Sequence, residues 1–141
     1  MKMNPFILIY ICLLNISCDK IENNSDINEI EPTKALVTTT IYIDQTVEGV
    51  NVQRPVIIQT PENIDLATNY PVVFAFHGRG GTNTSWVNKL KNFTDSGDFI
   101  GIYPQGYLKS WNLGTEESKA DDVAFVTLIV NELKQYNNLD M

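Results

Sequence analysis

The sequence has little cysteine and little histidine. Cys12 and Cys18 both lie near the N-terminus of the 141-residue chain, and His77 is the single histidine. The chain after Cys18 therefore has no thiol, which excludes a disulfide framework, a Cys-ligated zinc site, an iron–sulfur centre and a cysteine nucleophile there. One histidine also excludes a multi-histidine metal centre, so we expect no metal and no other cofactor.

Basic residues are scarce as well. Lys and Arg number 10 against 17 Asp and Glu, which gives a formal net charge of −7. Proteins bind nucleic-acid phosphates through basic surfaces, so this charge argues against a nucleic-acid partner. A hydrophobic fraction of 43% is that of a globular domain, and the length allows one domain at most.

The first residues are typical of an export signal. Lys2 is followed by an apolar run over 6–14, which is too short to cross the ~30 Å core of a bilayer as a helix. Ser17 directly before Cys18 resembles the lipobox of bacterial lipoproteins, although Asn15 stands where that pattern has an aliphatic residue. We expect a lipoprotein-type signal peptide over 1–17 and a lipid anchor at Cys18, which would hold the exported protein in the bacterial cell-envelope membrane or at the cell surface. The alternative is an ordinary cleaved signal and a secreted protein.

The rest of the chain divides into a tether and a domain. Residues 18–34 are acidic and rich in Asn without a sustained hydrophobic period, which predicts a solvated tether. Within 35–141, the pattern predicts a β-hairpin, then two fully buried strands, each followed by a helix. The predicted hairpin strands cover 36–43 and 54–60, the buried strands 71–76 and 99–103, and the helices 85–93 and 123–136. We therefore expect an α/β fold with a mostly parallel sheet, and a further strand beginning within 137–141.

A glycine-rich loop, His77-Gly78-Arg79-Gly80-Gly81, follows the first buried strand. Ligands bind beyond the carboxyl ends of the strands in open α/β sheets. Glycines let such a loop turn sharply and leave its N–H donors unobstructed, so it can form half of an oxyanion hole. A dinucleotide fingerprint would need glycine where Asn83 stands, and no Gly-Lys-Ser/Thr follows for a phosphate loop. A plain strand-to-helix turn is the alternative.

Several motifs occur in a fixed order over 52–141. They are Arg54-Pro55, PVVFAFHGRGG, IYPQG, Trp111-Asn112 and DDVAFV. This ordered set resembles the polyhydroxybutyrate depolymerase and feruloyl esterase group of α/β-hydrolases. The resemblance implies the N-terminal portion of an α/β-hydrolase fold.

The resemblance also implies a function and a site. The function would be that of an exported carboxylic-ester hydrolase, with plant-cell-wall or polyester-type esters as substrates. An oxyanion N–H would come from Arg79, with Gly80 as the next candidate, inside the loop formed with His77, Gly78 and Gly81. Trp111 and Asn112 would lie on the same edge, where they either contact substrate or, for Trp111, cover the core.

The catalytic triad of that fold is not found in this sequence. No serine after the leader lies in a G-x-S-x-G elbow, and His77 belongs to the loop, where we expect it to order the turn. We therefore expect a chain truncated before the nucleophile strand and inactive alone. A non-catalytic cell-surface binding lipoprotein, or a degenerate remnant, is the alternative function.

Three further expectations concern structure. Asp121 and Asp122 stand where they would cap the helix over 123–136, rather than form an acid/base pair. Trp86 is expected to pack. Residues 72–76 would form an apolar edge of the sheet, protected only at its start by Pro71, so we expect residues 19–141 alone to aggregate or to fold only in part.

Overall fold

The structure of the chain, a computed structural model, describes Lys34 and residues 36–141. The predicted signal peptide over 1–17, the lipidation site Cys18 and nearly all of the predicted tether lie outside the described residues. Among the residues that are described, no helix has the length and apolar character needed to cross a membrane.

Five strands form one mixed sheet in the order β1-β2-β4-β3-β5. The strands are β1 (Thr39–Val47), β2 (Val50–Gln59), β3 (Tyr70–Phe74), β4 (Ile100–Pro104) and β5 (Leu139–Asp140). The β1–β2 and β2–β4 pairs are antiparallel, whereas β3 is parallel to both β4 and β5. Helix α1 (Val87–Ser96) connects β3 to β4, and α2 (Asp122–Leu133) connects β4 to β5. The predicted α/β arrangement, a hairpin followed by β-α-β-α, is confirmed.

The hairpin is longer than the sequence pattern predicts. β1 and β2 continue to a tight turn at Glu48 and Gly49, both with positive φ (50° and 81°), as a type I′ turn requires. Such a turn matches the right-handed twist of the strands, so the polar residues on either side of it remain paired. The predicted loop between the two strands is therefore mostly strand.

One face of the sheet carries the core. Helix α2 buries Phe125, Ile129 and Leu133, which lie four residues apart on one side of the helix. They pack with buried residues of the sheet and its flanks, including Leu36, Val56, Ile58, Ile100 and Ile102. The helix ends at Leu133 rather than near 136, because the chain turns there toward β5 through Asn138, whose φ is 68°.

The outer edge of β3 is only partly covered. β5 pairs with Tyr70 and Pro71, so the further strand expected within 137–141 begins at Leu139. Beyond Pro71, β3 has no strand partner on that side among the described residues. The predicted apolar edge is therefore present over the second half of the strand.

Candidate active site

The glycine-rich loop lies at the carboxyl ends of the parallel strands β3 and β4. The amide of Gly81 donates to the carbonyl of Gly78 at 2.9 Å, which closes a four-residue turn. Gly80, the third residue of this turn, has a φ of 77°, as a type II turn requires. A Cβ atom on Gly81 would lie 2.9 Å from the Gly78 oxygen, so the turn needs glycine at that position too.

The amides of this turn differ in availability. The amide of Gly80 donates to the carbonyl of Lys109 at 2.8 Å, so this sequence-predicted donor is already occupied. Arg79 is exposed, and its amide has no hydrogen-bond partner in the part of the chain that the structure describes. The open donor of the predicted pair is therefore Arg79.

Lys109 reaches Gly80 because its own turn is unusual. Leu108 and Lys109 both have positive φ (52° and 56°), and the amide of Ser110 donates to the carbonyl of Tyr107 at 3.1 Å. This is a type I′ geometry that Asn-Gly normally adopts, here formed by two residues that disfavour it. The turn presents the Lys109 carbonyl to the glycine-rich loop.

His77, the first residue of the loop, is buried, with 3% of its surface exposed. Its Nε2 atom accepts a hydrogen bond from the amide of Gly106 at 3.0 Å, so Nε2 carries no proton. Its Nδ1 atom lies 2.8 Å from the carbonyl of Gly78 and must donate to it. Both ring nitrogens are thus occupied, and the ring has no free lone pair with which to act as a general base.

Gln105 joins the end of β4 to the glycine-rich loop. Its Oε1 atom accepts from the amide of Asn83 at 3.0 Å, and its Nε2 atom lies 3.1 Å from Nε2 of His77. Its backbone amide donates to the carbonyl of Pro55 on β2 at 3.0 Å. One residue therefore connects three segments around the candidate oxyanion donor.

Two tryptophans hold the segment where β3 becomes the loop. The indole of Trp86 donates to the carbonyl of Phe76 at 2.9 Å, and the indole of Trp111 donates to the carbonyl of His77 at 2.7 Å. Trp111 is half-buried and packs against the core, with its ring edge-on to Phe76 at 5.1 Å. Of the two roles left open for Trp111, these contacts describe a core-covering residue that also positions the loop.

The side chain of Asn112 is used within its own loop. Its Nδ2 atom donates to the carbonyl of Ala120 at 3.1 Å, and its Oδ1 atom accepts from the amide of Gly114 at 3.1 Å. The structure therefore places Asn112 beside the site with both ends of its amide group already bonded.

The two aspartates before α2 have different roles. Asp121 is the N-cap, and its carboxylate accepts from the amide of Ala124 at 2.9 Å, as expected. The expectation of a capping role is wrong for Asp122. Its carboxylate accepts from Nη2 of Arg54 at 2.7 Å and from the amide of Asn112 at 2.6 Å.

The role of Arg54 at this edge of the sheet was not predicted from the sequence. The side chain is buried inside the fold, with the whole residue only 2% exposed, and its guanidinium carbon Cζ lies 3.5 Å from the ring centroid of Phe125. Burial lowers the pKa of Arg54, and the hydrogen bond with Asp122 opposes this shift. A signal was present in the sequence, because Arg54 has the same strand parity as Val56 and Ile58 and so had to face the core.

The described residues contain no serine–histidine pair in hydrogen-bond contact. No group of three or more His, Cys, Asp or Glu side chains in this part of the chain could hold a metal ion. What the site offers chemically is a braced loop in which the amide of Arg79, an exposed residue, has no hydrogen-bond partner among the described residues and can donate to an anion.

Comparison with known proteins supports the fold. A solved structure described as a thermostable esterase matches this chain with a TM-score of 0.50 and 19% identity, over 72% of this chain and 31% of that chain. No protein-family model matches the sequence, and no curated protein matches it significantly. The chain thus spans less than a third of the length of the esterase. Its fold is a partial α/β arrangement similar to part of that esterase's structure.

Proposed function

We propose that this chain is the oxyanion-binding part of an exported carboxylic-ester hydrolase similar to the polyhydroxybutyrate depolymerase and feruloyl esterase group. The observation that carries the proposal is the amide of Arg79, an exposed residue after the carboxyl end of β3, which has no hydrogen-bond partner among the described residues. The ordered motifs over 52–141 and the esterase-like fold support it.

The amide of Arg79 would act on the transition state. When a nucleophile attacks an ester, negative charge develops on the carbonyl oxygen, and a fixed N–H about 2.7–3.1 Å away stabilises it. The Gly80 amide is held by Lys109, so the loop offers Arg79 as its donor. In α/β-hydrolases the second donor is the amide after the nucleophile, on the G-x-S-x-G elbow. This sequence has no such elbow, and the proposal therefore makes the chain inactive by itself.

The proposed substrate is an ester of the plant-cell-wall or polyester type. The proposed location is the bacterial cell envelope or surface, with a lipid anchor on Cys18, or the exterior if the signal is simply cleaved. Lipidation is tested by incorporation of labelled palmitate in a bacterial host. The label should be lost in Cys18→Ala, and equal label in both proteins would contradict the anchor.

The catalytic part is tested on the coding sequence. We expect the DNA beyond codon 141, translated in all three frames, to encode a strand followed by G-x-S-x-G. Unrelated sequence there would favour the non-catalytic binding function instead. This chain, produced alone, should not hydrolyse p-nitrophenyl acetate, and hydrolysis that a serine-directed phosphonate abolishes would contradict its predicted inactivity.

The oxyanion role is tested with two variants of Arg79. The enzyme for this test is the present chain, either joined to the part encoded beyond codon 141 or co-expressed with it. Arg79→Pro deletes the amide hydrogen, and proline fits the second position of a type II turn. Arg79→Ala removes the side chain and keeps the amide. We expect the proline variant to lose about 10²–10³-fold in kcat, the cost of removing one oxyanion donor. The alanine variant should remain within a few-fold of the parent, and equal rates for the two variants would contradict the role.

A further inference from the structure

We infer that the ion pair between the buried Arg54 and the partly buried Asp122 is the positioning device of the glycine-rich loop. Neither Arg54 nor Asp122 is hydrogen-bonded to the glycine-rich loop itself. They act through two sets of hydrogen bonds that meet at His77, the first residue of the loop. The inference rests on the proposed function only for the role of the loop in binding an oxyanion. The contacts described below do not depend on that role.

The first set of bonds runs through Gln105. Nε of Arg54 donates to the backbone carbonyl of Gln105 at 3.1 Å. The Gln105 side chain then accepts from the amide of Asn83 and lies 3.1 Å from the ring of His77. Arg54 therefore fixes Gln105, which contacts His77 at the start of the glycine-rich loop and Asn83 just after its end.

The second set runs through the start of α2. Nη2 of Arg54 donates to one oxygen of Asp122 at 2.7 Å, and the other oxygen accepts from the amide of Asn112 at 2.6 Å. The neighbouring Trp111 donates its indole N–H to the carbonyl of His77 at 2.7 Å. Asp122 therefore fixes the segment of Trp111 and Asn112, and Trp111 in turn binds the backbone carbonyl of His77.

The shape of the guanidinium explains why an arginine is used. Its third nitrogen, Nη1, donates to Oε1 of Gln45 at 2.8 Å, so the three nitrogens each bind a different segment. Those segments are β1, the loop after β4 and the start of α2. A planar fork fixes three directions at once, whereas a lysine ammonium is one flexible point charge. A buried ion pair is weak support for stability as such, and its better-attested use is to specify one arrangement.

The experiment measures loop order in the full chain by hydrogen exchange. The probes are the indole N–H of Trp111 and the amide of Asn83, each expressed relative to the amide of Ile102 in the central strand β4. This ratio removes the effect of a general loss of stability. Ile129→Ala is the matched control, because Ile129 is fully buried on α2 and belongs to the core rather than to the network.

Different variants should affect the two probes differently. Arg54→Met should raise both exchange ratios at least tenfold. Asp122→Asn should raise the Trp111 ratio more than the Asn83 ratio. Arg54→Lys should restore the Trp111 ratio, since an ammonium can pair with Asp122, and should leave the Asn83 ratio high.

The control decides the outcome. Ile129→Ala should leave both ratios at the wild-type value, while ratios in Arg54→Met that equal those of the control would overturn the inference. If Arg54→Met does not fold, unchanged ratios in both Arg54→Lys and Asp122→Asn would overturn it equally. These readouts do not involve ester hydrolysis, so the proposed function and this inference can fail independently.

Discussion

The ring of His77 accepts a hydrogen bond at Nε2 from the backbone amide of Gly106, 3.0 Å away. This bond ties the loop after β3 to the loop after β4 and places the single imidazole of the chain in a structural role. The sequence predicts that His77 orders the turn of the glycine-rich loop rather than acting as a base. Its environment shows that it braces the site instead of reacting in it.

The first prediction concerns this brace. His77→Ala leaves the buried amide of Gly106 without a partner, and a buried donor left unsatisfied costs about 1–3 kcal/mol. We expect that loss in the free energy of unfolding, measured by urea denaturation of the full chain. Thr84→Ala, in an exposed position of the turn between the glycine-rich loop and α1, is the control and should change little. A loss in His77→Ala no larger than in the control would contradict the bracing role.

The second prediction uses two glycines of the site. A Cβ atom on Gly106 would lie 2.3 Å from the carbonyl oxygen of Ser110 and 3.2 Å from the His77 ring, whereas one on Gly78 would meet nothing within 4 Å. We expect Gly106→Ala to destabilise the chain by about 1–3 kcal/mol, as overpacking does. Gly78→Ala should be nearly neutral in the same urea experiment. Similar midpoints for the two variants would show that the approach of Ser110 and His77 to Gly106 is not tight.

The sequence predicted those parts of the fold that depend on hydrophobic patterning. The unbroken apolar runs of β3 and β4 identified two parallel strands, and the wide apolar face over 123–136 identified the packed helix. The prediction that both strands are fully buried holds for β4 and is wrong for β3, which is only partly buried because one of its edges is largely uncovered within the described residues. The end of that helix was placed too late, because Tyr136 looks like another apolar position of its core face. It is instead buried beyond the helix, where it pairs with Lys34.

The candidate site was less predictable, because its geometry depends on contacts between distant segments. No local signal in Leu108 and Lys109 predicts positive φ, so the bond from Gly80 to the Lys109 carbonyl could not be foreseen. The role of Asp122 likewise follows from Arg54, 68 residues earlier in the chain, rather than from its place at a helix start. The alternation of side chains along β2 was the one available signal, because it places Arg54 on the same face as the core residues.

The third prediction concerns alkaline pH. Tyr103 is completely buried in β4 and donates to Oε1 of Gln59 at 2.8 Å, and burial raises its pKa to about 12. In the unfolded chain a tyrosine ionises near pH ~10. Below that pH both states keep the proton and the full stability is present. Above it only the unfolded state loses the proton, so the free energy of unfolding falls by about 1.4 kcal/mol per pH unit until the folded state ionises too.

Tyr103→Phe removes this dependence. At pH 8 the variant should be less stable than the wild type, because the acceptor on Gln59 loses its donor at a cost of about 1 kcal/mol. Between pH 10 and 12 the wild type should lose stability faster than the variant in parallel urea titrations. Parallel curves for the two proteins would mean that Tyr103 ionises in the folded state as readily as in the unfolded one.

The last prediction concerns the open edge of β3. The amide of Ala75 donates to Ile102 on β4, so by alternation the backbone groups of Phe74 face the other side, beyond the reach of β5. Phe76, 43% exposed, stacks on Phe74 with ring centroids 6.2 Å apart. An apolar edge without a charge pairs with other chains, so we expect purified residues 19–141 to associate as concentration rises. Sedimentation velocity measures this association directly.

A charge placed at that edge should weaken association, as lysine does on natural edge strands. We expect Phe76→Lys to raise the dissociation constant at least tenfold, equivalent to about 1.4 kcal/mol. Phe93→Lys is the control, since Phe93 is 50% exposed and also stacks on a phenylalanine, but belongs to α1 rather than to the segment of β3. An equal effect of the two substitutions would assign association to general surface hydrophobicity. A monomer at every concentration, with a cooperative thermal transition, would show that β3 is protected despite its open backbone groups.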